Sequence, residues 1–277
     1  MAILSFDTYG KTGIRLVYVH RNGEQHEVRE LNVKILFEGE FSETYTSGDN
    51  SGVLPTDTMK NTVYVLAKQL RWSDIETFAR GLAGHFLLHV PHLKQVEIEI
   101  SETPWEHISG HSTAFVQRTR ERRTTEMTAS RSKKLIRSGL KNLQILKTAR
   151  SAFAGYVKDE FTTLPETEDR LFGTILDAEW SYARADIDFN GLHKSIREML
   201  LNTFAEHESR SVQHTLFAMA EAVVRAFDVV EEIHLTMPNK HCLPVDLARF
   251  GLENPNQIFI PVDEPSGYIE ARVTRGQ

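Results

Sequence analysis

The chain has 277 residues, which at about 100–150 residues per domain suggests two domains or one large one. With 40% apolar, 25% charged and 9% aromatic residues it is expected to be soluble and globular, and the disordered, collagen-like and low-complexity classes are excluded. Thirty-two Lys and Arg against 38 Asp and Glu leave a formal charge of −6, a sign that argues against a partner held through nucleic-acid phosphates.

In chain order, 13–20 and 26–37 read as two strands joined by an Asn22-Gly23 turn, a β-hairpin. Residues 40–57 read as a loop and 58–70 as an amphipathic helix. Ser73 or Asp74 caps a second helix that ends before Pro91. Strand patterns follow at 95–100 and 114–125. The second half repeats the order, with strands at 143–147 and 175–187, helices at 192–206 and 212–227, and strands at 233–237, 257–261 and 268–274. Ile98-Glu99-Ile100-Ser101-Glu102-Thr103-Pro104 and Ile233-His234-Leu235-Thr236-Met237-Pro238 are similar strand ends. The expected class is α+β: two ββααββ units, 1–136 and 137–277, each an antiparallel sheet with helices on one face. Edges of such sheets are usually covered, so an oligomer is expected.

The single cysteine, Cys242, rules out an intrachain disulfide and a multi-thiolate metal site, and it fits a reducing compartment. No apolar run approaches the roughly 18 residues of a membrane span. The amino end lacks the pattern of a signal peptide, and Thr274-Arg275-Gly276-Gln277 is neither an ER-retention nor a peroxisomal signal, so a cytoplasmic location is expected.

Phosphate loops, nucleophile elbows, H-E-x-x-H and dinucleotide fingerprints are all missing from the sequence. His85, His89 and His92 have a spacing that zinc can use, but His92 lies beyond Pro91 and no carboxylate completes the set, so no metal is expected. Arg118, Arg120, Arg122 and Arg123 read as a solvated strand face beside Glu121 and Glu126, not as a nucleic-acid site. Three polar clusters remain. In Tyr9-Gly10-Lys11 the lysine points to water or into a site, depending on register. In Pro55-Thr56-Asp57-Thr58, helix capping accounts for Asp57 or Thr58 and leaves Thr56 unexplained. Pro238-Asn239-Lys240-His241 reads as a polar loop at a strand end, structural or functional.

These clusters, with Lys60-Asn61-Thr62-Val63-Tyr64, Leu146-Lys147-Thr148, Ser151-x-Phe153-x-Gly155, Phe161 to Leu164 running on to Asp169-Arg170, and Ser211-Val212-Gln213, resemble the urate oxidase family, in the same order from about residue 9 to 272. The resemblance implies the tunnelling fold (T-fold), with two ββααββ units per subunit assembling into an oligomeric β-barrel with helices outside, a homotetramer. It implies oxidation of urate by O2 to 5-hydroxyisourate and hydrogen peroxide, with neither metal nor organic cofactor. Arg170 and Gln213 are implied to grip opposite edges of the purine, a guanidinium fork and a carboxamide suiting a planar oxygen-rich anion. Phe153 stacks on the ring, and the backbone amides of Asp57 and Val212 add hydrogen bonds. Lys11 and Thr56 form the proton-handling pair, His241 extends the relay, and Asn239 with Thr56 holds O2 and then water. The resemblance also places Lys11 and Thr56 on one subunit and Arg170 and Gln213 on its neighbour. Cys242 departs from the family, standing where relatives often carry an aromatic. A zinc-dependent pterin enzyme on the same fold would need a three-ligand histidine or cysteine set. A non-catalytic purine binder would keep Arg170, Gln213 and Phe153 without the proton-handling pair, and here Lys11, Thr56 and His241 are all present.

Overall fold

A computed structural model describes residues 2–184 and 186–276, the side chain of Asp263 excepted. It divides into two compact units, Met1–Leu140 with Asp186–Gly191, and Lys141–Ala185 with Leu192–Gln277. The division falls inside a strand, four residues after the 136/137 boundary read from the sequence, and a short later segment packs with the first unit.

The first unit opens with a long antiparallel hairpin, β1 (Tyr9–Asn22) and β2 (Gln25–Gly39), turning at Gly23, whose φ of +61° is one that glycine adopts without penalty. β2 pairs with β3 (Leu93–Thr103) and β3 with β6 (Arg122–Ser130), all antiparallel. Alternate residues Leu31, Val33, Ile35 and Phe37 of β2, and Val96, Ile98 and Ile100 of β3, are buried. The opposite face carries charge, Lys34 bridging Glu97 at 3.2 Å and Glu99 at 2.5 Å. That alternation fits a sheet with one covered face. The cover is α2 (Thr56–Gln69) and α3 (Ile75–His89), which bury Met59, Val63 and Leu66, and Phe78, Leu82 and Phe86. Asp74 caps α3, its carboxylate accepting the Thr77 amide at 2.7 Å. The 40–57 segment contains a short helix, α1 (Ser42–Thr46).

The strand expected over 114–125 divides. Phe115–Val116 (β5) forms a small ladder with Glu106–His107 (β4), and regular pairing resumes at Arg122. The reading of Arg123 as a solvated residue is also corrected. Arg123 has the same strand parity as the buried Thr125, Met127 and Ala129, so it faces the helices. Its guanidinium donates to the fully buried Glu76 carboxylate at 2.7 Å, and Ser138 donates to the same carboxylate at 2.6 Å. Removing one partner of such a pair leaves a buried charge and costs about 3–5 kcal/mol.

β7 (Lys134–Lys147) begins nine residues before the strand expected at 143–147. Its period is broken at Asn142, whose φ of +61° is left-handed, so Leu140 and Leu143 are both buried although three apart. In the second unit β8 (Phe172–Tyr182) pairs with β9 (Val230–Thr236), and β9 with β12 (Glu270–Thr274). The start of β8, at Gly173 and Thr174, also pairs with β10 (Asn239–Pro244), which pairs with β11 (Phe259–Gly267). The expected loop at 238–241 is therefore largely a strand. Its residues have low strand preference and no apolar alternation, and pairing on both sides is what makes it extended. Helices α4 (Phe189–Glu206) and α5 (Val212–Ala226) contribute Ile196, Leu200, Phe204, Leu216, Met219 and Val223 to a core with Phe172, Leu176 and Trp180. No helix of the described residues is long and apolar enough to cross a membrane.

Candidate active site

In the first unit Lys11 lies on β1 opposite Ile35, immediately before a register shift that ends at Ile14. Gly10 is required beside it, because a Cβ there would meet the Ile35 carbonyl oxygen at 1.9 Å. Tyr9 packs edge-on against Phe37 and Phe41, with ring centroids 5.7 and 4.8 Å away, and its hydroxyl accepts the Leu54 amide at 3.0 Å. Burial raises the Tyr9 phenol pKa, so it stays protonated.

Leu54 leads directly into Pro55, the N-cap of α2, which has an extended ψ of 138° and no side-chain cap bond. Capping is therefore not the role of Asp57 or Thr58. The Asp57 carboxylate turns back to Lys60 and accepts Asn61 Nδ2 at 3.0 Å. Its pKa is lowered, chiefly by Lys60 and to a lesser degree by Lys11. Thr56 opens the helix, half-buried, and the amides of Thr56, Asp57 and Thr58 lie in the first turn, where intrahelical acceptors are missing.

The second unit holds the other six candidates. The segment from Ser151 to Phe153 lies between two others. On one side Ala152 donates to the Ser209 carbonyl at 2.7 Å. On the other, Phe153 exchanges backbone bonds with Thr167 at 2.8 and 3.1 Å, and the Arg170 amide donates to the Ser151 carbonyl at 2.8 Å. The Ser209 hydroxyl donates to the Ser211 carbonyl at 3.0 Å, and Ser211 caps α5 by accepting the His214 amide at 3.1 Å. This lattice of short bonds sets Phe153, Arg170, Val212 and Gln213 around one end of α5. Val212 is buried and Gln213 exposed in its first turn.

The Arg170 guanidinium stands 5.1 Å from the Phe153 ring centre, a cation–π contact, and burial lowers its pKa. Tyr156 lies parallel on Phe153, centroids 4.8 Å apart and planes 17° from parallel. Asn239 and His241 sit on β10 on either side of a register shift. With Arg170, Thr148, Asp169 and Cys242 they line a cavity of about 380 Å³. Behind the α5 turn, Lys147 donates to the His207 carbonyl at 2.5 Å and reaches the Phe204 carbonyl at 3.5 Å, closing the end of α4. His207 Nδ1 pairs with the buried Thr215 hydroxyl at 3.1 Å.

Sequence reasoning missed the Tyr9–Leu54 bond, the Tyr156 stack and the Ser151–Ser209 bridge. Tyr9 and Ser151 stood in the motifs, but a bond across the chain has no local signature. The three histidines singled out for metal spacing are arranged differently from a chelate. His85 and His89 stack at 4.2 Å, and His89 Nδ1 engages the His85 carbonyl at 2.8 Å. Among the described residues no three His, Cys, Asp or Glu side chains group as metal ligands.

The crystal structure of uricase from Arthrobacter globiformis superposes with a TM-score of 0.96 at 37% identity, covering 99% of this chain and 96% of that one. A Bacillus sp. TB-90 urate oxidase structure gives 0.85 at 25% identity, covering 97% and 99%. The fold is thus that of an α+β protein of the tunnelling-fold class. The uricase family model matches residues 7–128 and 136–270. The Dictyostelium discoideum uricase is 39% identical, covering 99% of this chain and 98% of that protein, and the Arthrobacter globiformis uricase is 38% identical, covering 99% and 90%. The chain belongs to the uricase family, the urate oxidases.

Proposed function

We propose that the protein oxidises urate with O2 and water to 5-hydroxyisourate and hydrogen peroxide, using neither metal nor organic cofactor. The observation that carries this reading is the cavity where Arg170, Asn239 and His241 meet, next to the Phe153 ring. Arg170 and Gln213 grip opposite edges of the purine, the guanidinium through a charge-assisted fork. Phe153 stacks on the ring, and the Asp57 and Val212 amides, in the first turns of α2 and α5, complete the hydrogen bonds to the anion.

Lys11 and Thr56 take a proton from urate, the threonine oxygen accepting it while its own proton passes to the neutral Lys11 amine, and His241 extends the relay to water. Urate itself supplies two electrons to O2, which leaves as peroxide, and water adds to the oxidised purine. Asn239 with Thr56 holds O2 and then that water above the ring, so positioning supplies much of the rate.

Lys11, Thr56 and Asp57 come from one subunit of a homotetrameric β-barrel, and the other six residues from its neighbour. The free outer edge of β1 within its unit supports strand pairing between subunits. The single cysteine is compatible with a cytoplasmic enzyme, and neither nucleic acid nor membrane is a partner. The test is to treat the protein exhaustively with chelator, add urate in air, and follow near-UV absorbance together with oxygen and peroxide. Undiminished urate loss with one peroxide per oxygen supports the reading, and activity that dies with the chelator and returns with zinc or copper overturns it.

A further inference from the structure

The cross-strand row that contains Asn239 includes a polar group with no role in the chemistry above. β10 runs between β8 and β11, and Asn239 pairs with Thr174 on one side and Gly267 on the other. Directly opposed residues of antiparallel strands project to the same face, their Cβ atoms about 4.5–5.5 Å apart. Gly267 brings no side chain, and a Cβ built on it would stand 3.6 Å from that of Asn239. Thr174 is therefore the polar neighbour of Asn239 in this row. It is 1% exposed, and its hydroxyl is one of the buried polar atoms with no hydrogen-bond partner among the described residues. A buried hydroxyl without a partner is unfavourable, and valine, with the same shape and no oxygen, would relieve it. Packing alone gives no reason for threonine here.

A carboxamide can turn over about its last torsion, exchanging its donating and accepting ends. At the row spacing a single water can join the carboxamide to the unpartnered Thr174 hydroxyl. We infer that Thr174 is a positioning residue whose hydroxyl fixes the Asn239 carboxamide in the orientation that receives O2 and then water. This rests on the reading of Asn239 given above.

Steady-state kinetics at saturating urate with oxygen varied, on Thr174→Val, Thr174→Ser and Asn239→Ala, test it. Thr174→Val should lower kcat/KM for oxygen about 5–10-fold, the loss of one orienting water-mediated hydrogen bond, with KM for urate and Tm unchanged. Thr174→Ser, which keeps the hydroxyl, should restore the oxygen kinetics. In Thr174→Val/Asn239→Ala the valine should cost nothing beyond the alanine. If Asn239→Ala impairs oxygen kinetics and Thr174→Val does not, the inference fails and the reading of Asn239 stands. If Asn239→Ala also leaves oxygen kinetics unchanged, the reading of Asn239 fails with it. Equal losses in the valine and serine variants with lowered Tm would assign the effect to packing and overturn the inference.

Discussion

The Tyr9 hydroxyl accepts the Leu54 amide at 3.0 Å across 45 residues of chain, tying the strand that carries Lys11 to the turn that delivers Thr56. The ring is held edge-on by Phe37 and Phe41, so the hydroxyl has little freedom to follow a moving loop. Lys11 and Thr56 thus share a fixed frame within the first unit.

Tyr9→Phe removes that bond and keeps the ring. A neutral hydrogen bond contributes about 0.5–1.5 kcal/mol, so Tm should fall by no more than about 2–6 °C in a chain of this size. Turnover should fall roughly 2–10-fold while binding of an inert purine analogue, which the proposed site assigns to Arg170 and Gln213, stays unchanged. Calorimetric titration with the analogue beside turnover assays checks the split, and analogue affinity falling in step with turnover would count against it.

Binding and chemistry should separate more sharply at the two ends of the site. Arg170→Ala removes a charge-assisted contact of roughly 1.5–3 kcal/mol and should weaken analogue binding about 10–100-fold. Lys11→Ala should leave analogue binding nearly intact and cut turnover by roughly 10²–10⁴, the range for a lost acid–base group. Normal behaviour of both variants in both assays would remove the site assignment.

The proposed division of the site between subunits predicts complementation. Thr56→Ala and Arg170→Ala proteins, each nearly inactive, are unfolded and refolded together so that subunits mix. At a mixed interface one site carries both defects and the other carries none, and activity should rise to a maximum near equal mixing. Hybrid oligomers confirmed by mass spectrometry but without recovered activity would favour a complete site within each chain.

Stability should fall on acidification through His207. Burial lowers its imidazole pKa, and His214, Lys147 and Arg150 lower it further against Glu208. Well above pH 6.5, from about pH 7.5, the imidazole is neutral both in the folded protein and in the unfolded chain and contributes no pH dependence. As pH falls through that value the unfolded chain gains the proton first, and stability declines until the lower folded pKa is passed. His207→Gln should therefore lose less Tm than the parent between about pH 7.5 and about pH 5.5, and parallel Tm–pH curves for the two proteins would remove His207 from this role.

The sequence by itself determined the elements whose periodicity is local. The Asn22-Gly23 hairpin, the Asp74 cap of α3 and the four long helices follow from turn chemistry, capping and spacing. Motif order also pointed to the family, because Tyr9-Gly10-Lys11, Pro55-Thr56-Asp57 and Pro238-Asn239-Lys240-His241 are contiguous strings. What the tertiary structure decided is wherever a residue's partner lies far along the chain. β10 is extended because β8 and β11 flank it, although its own residues do not favour a strand. Asn142 breaks the period of β7, and strand parity turns Arg123 inward to Glu76. Thr174 shows no distinguishing mark in the sequence. Its importance appears once pairing sets it beside Asn239 with its hydroxyl unpartnered, since cross-strand register is fixed by the whole sheet and not by neighbouring residues.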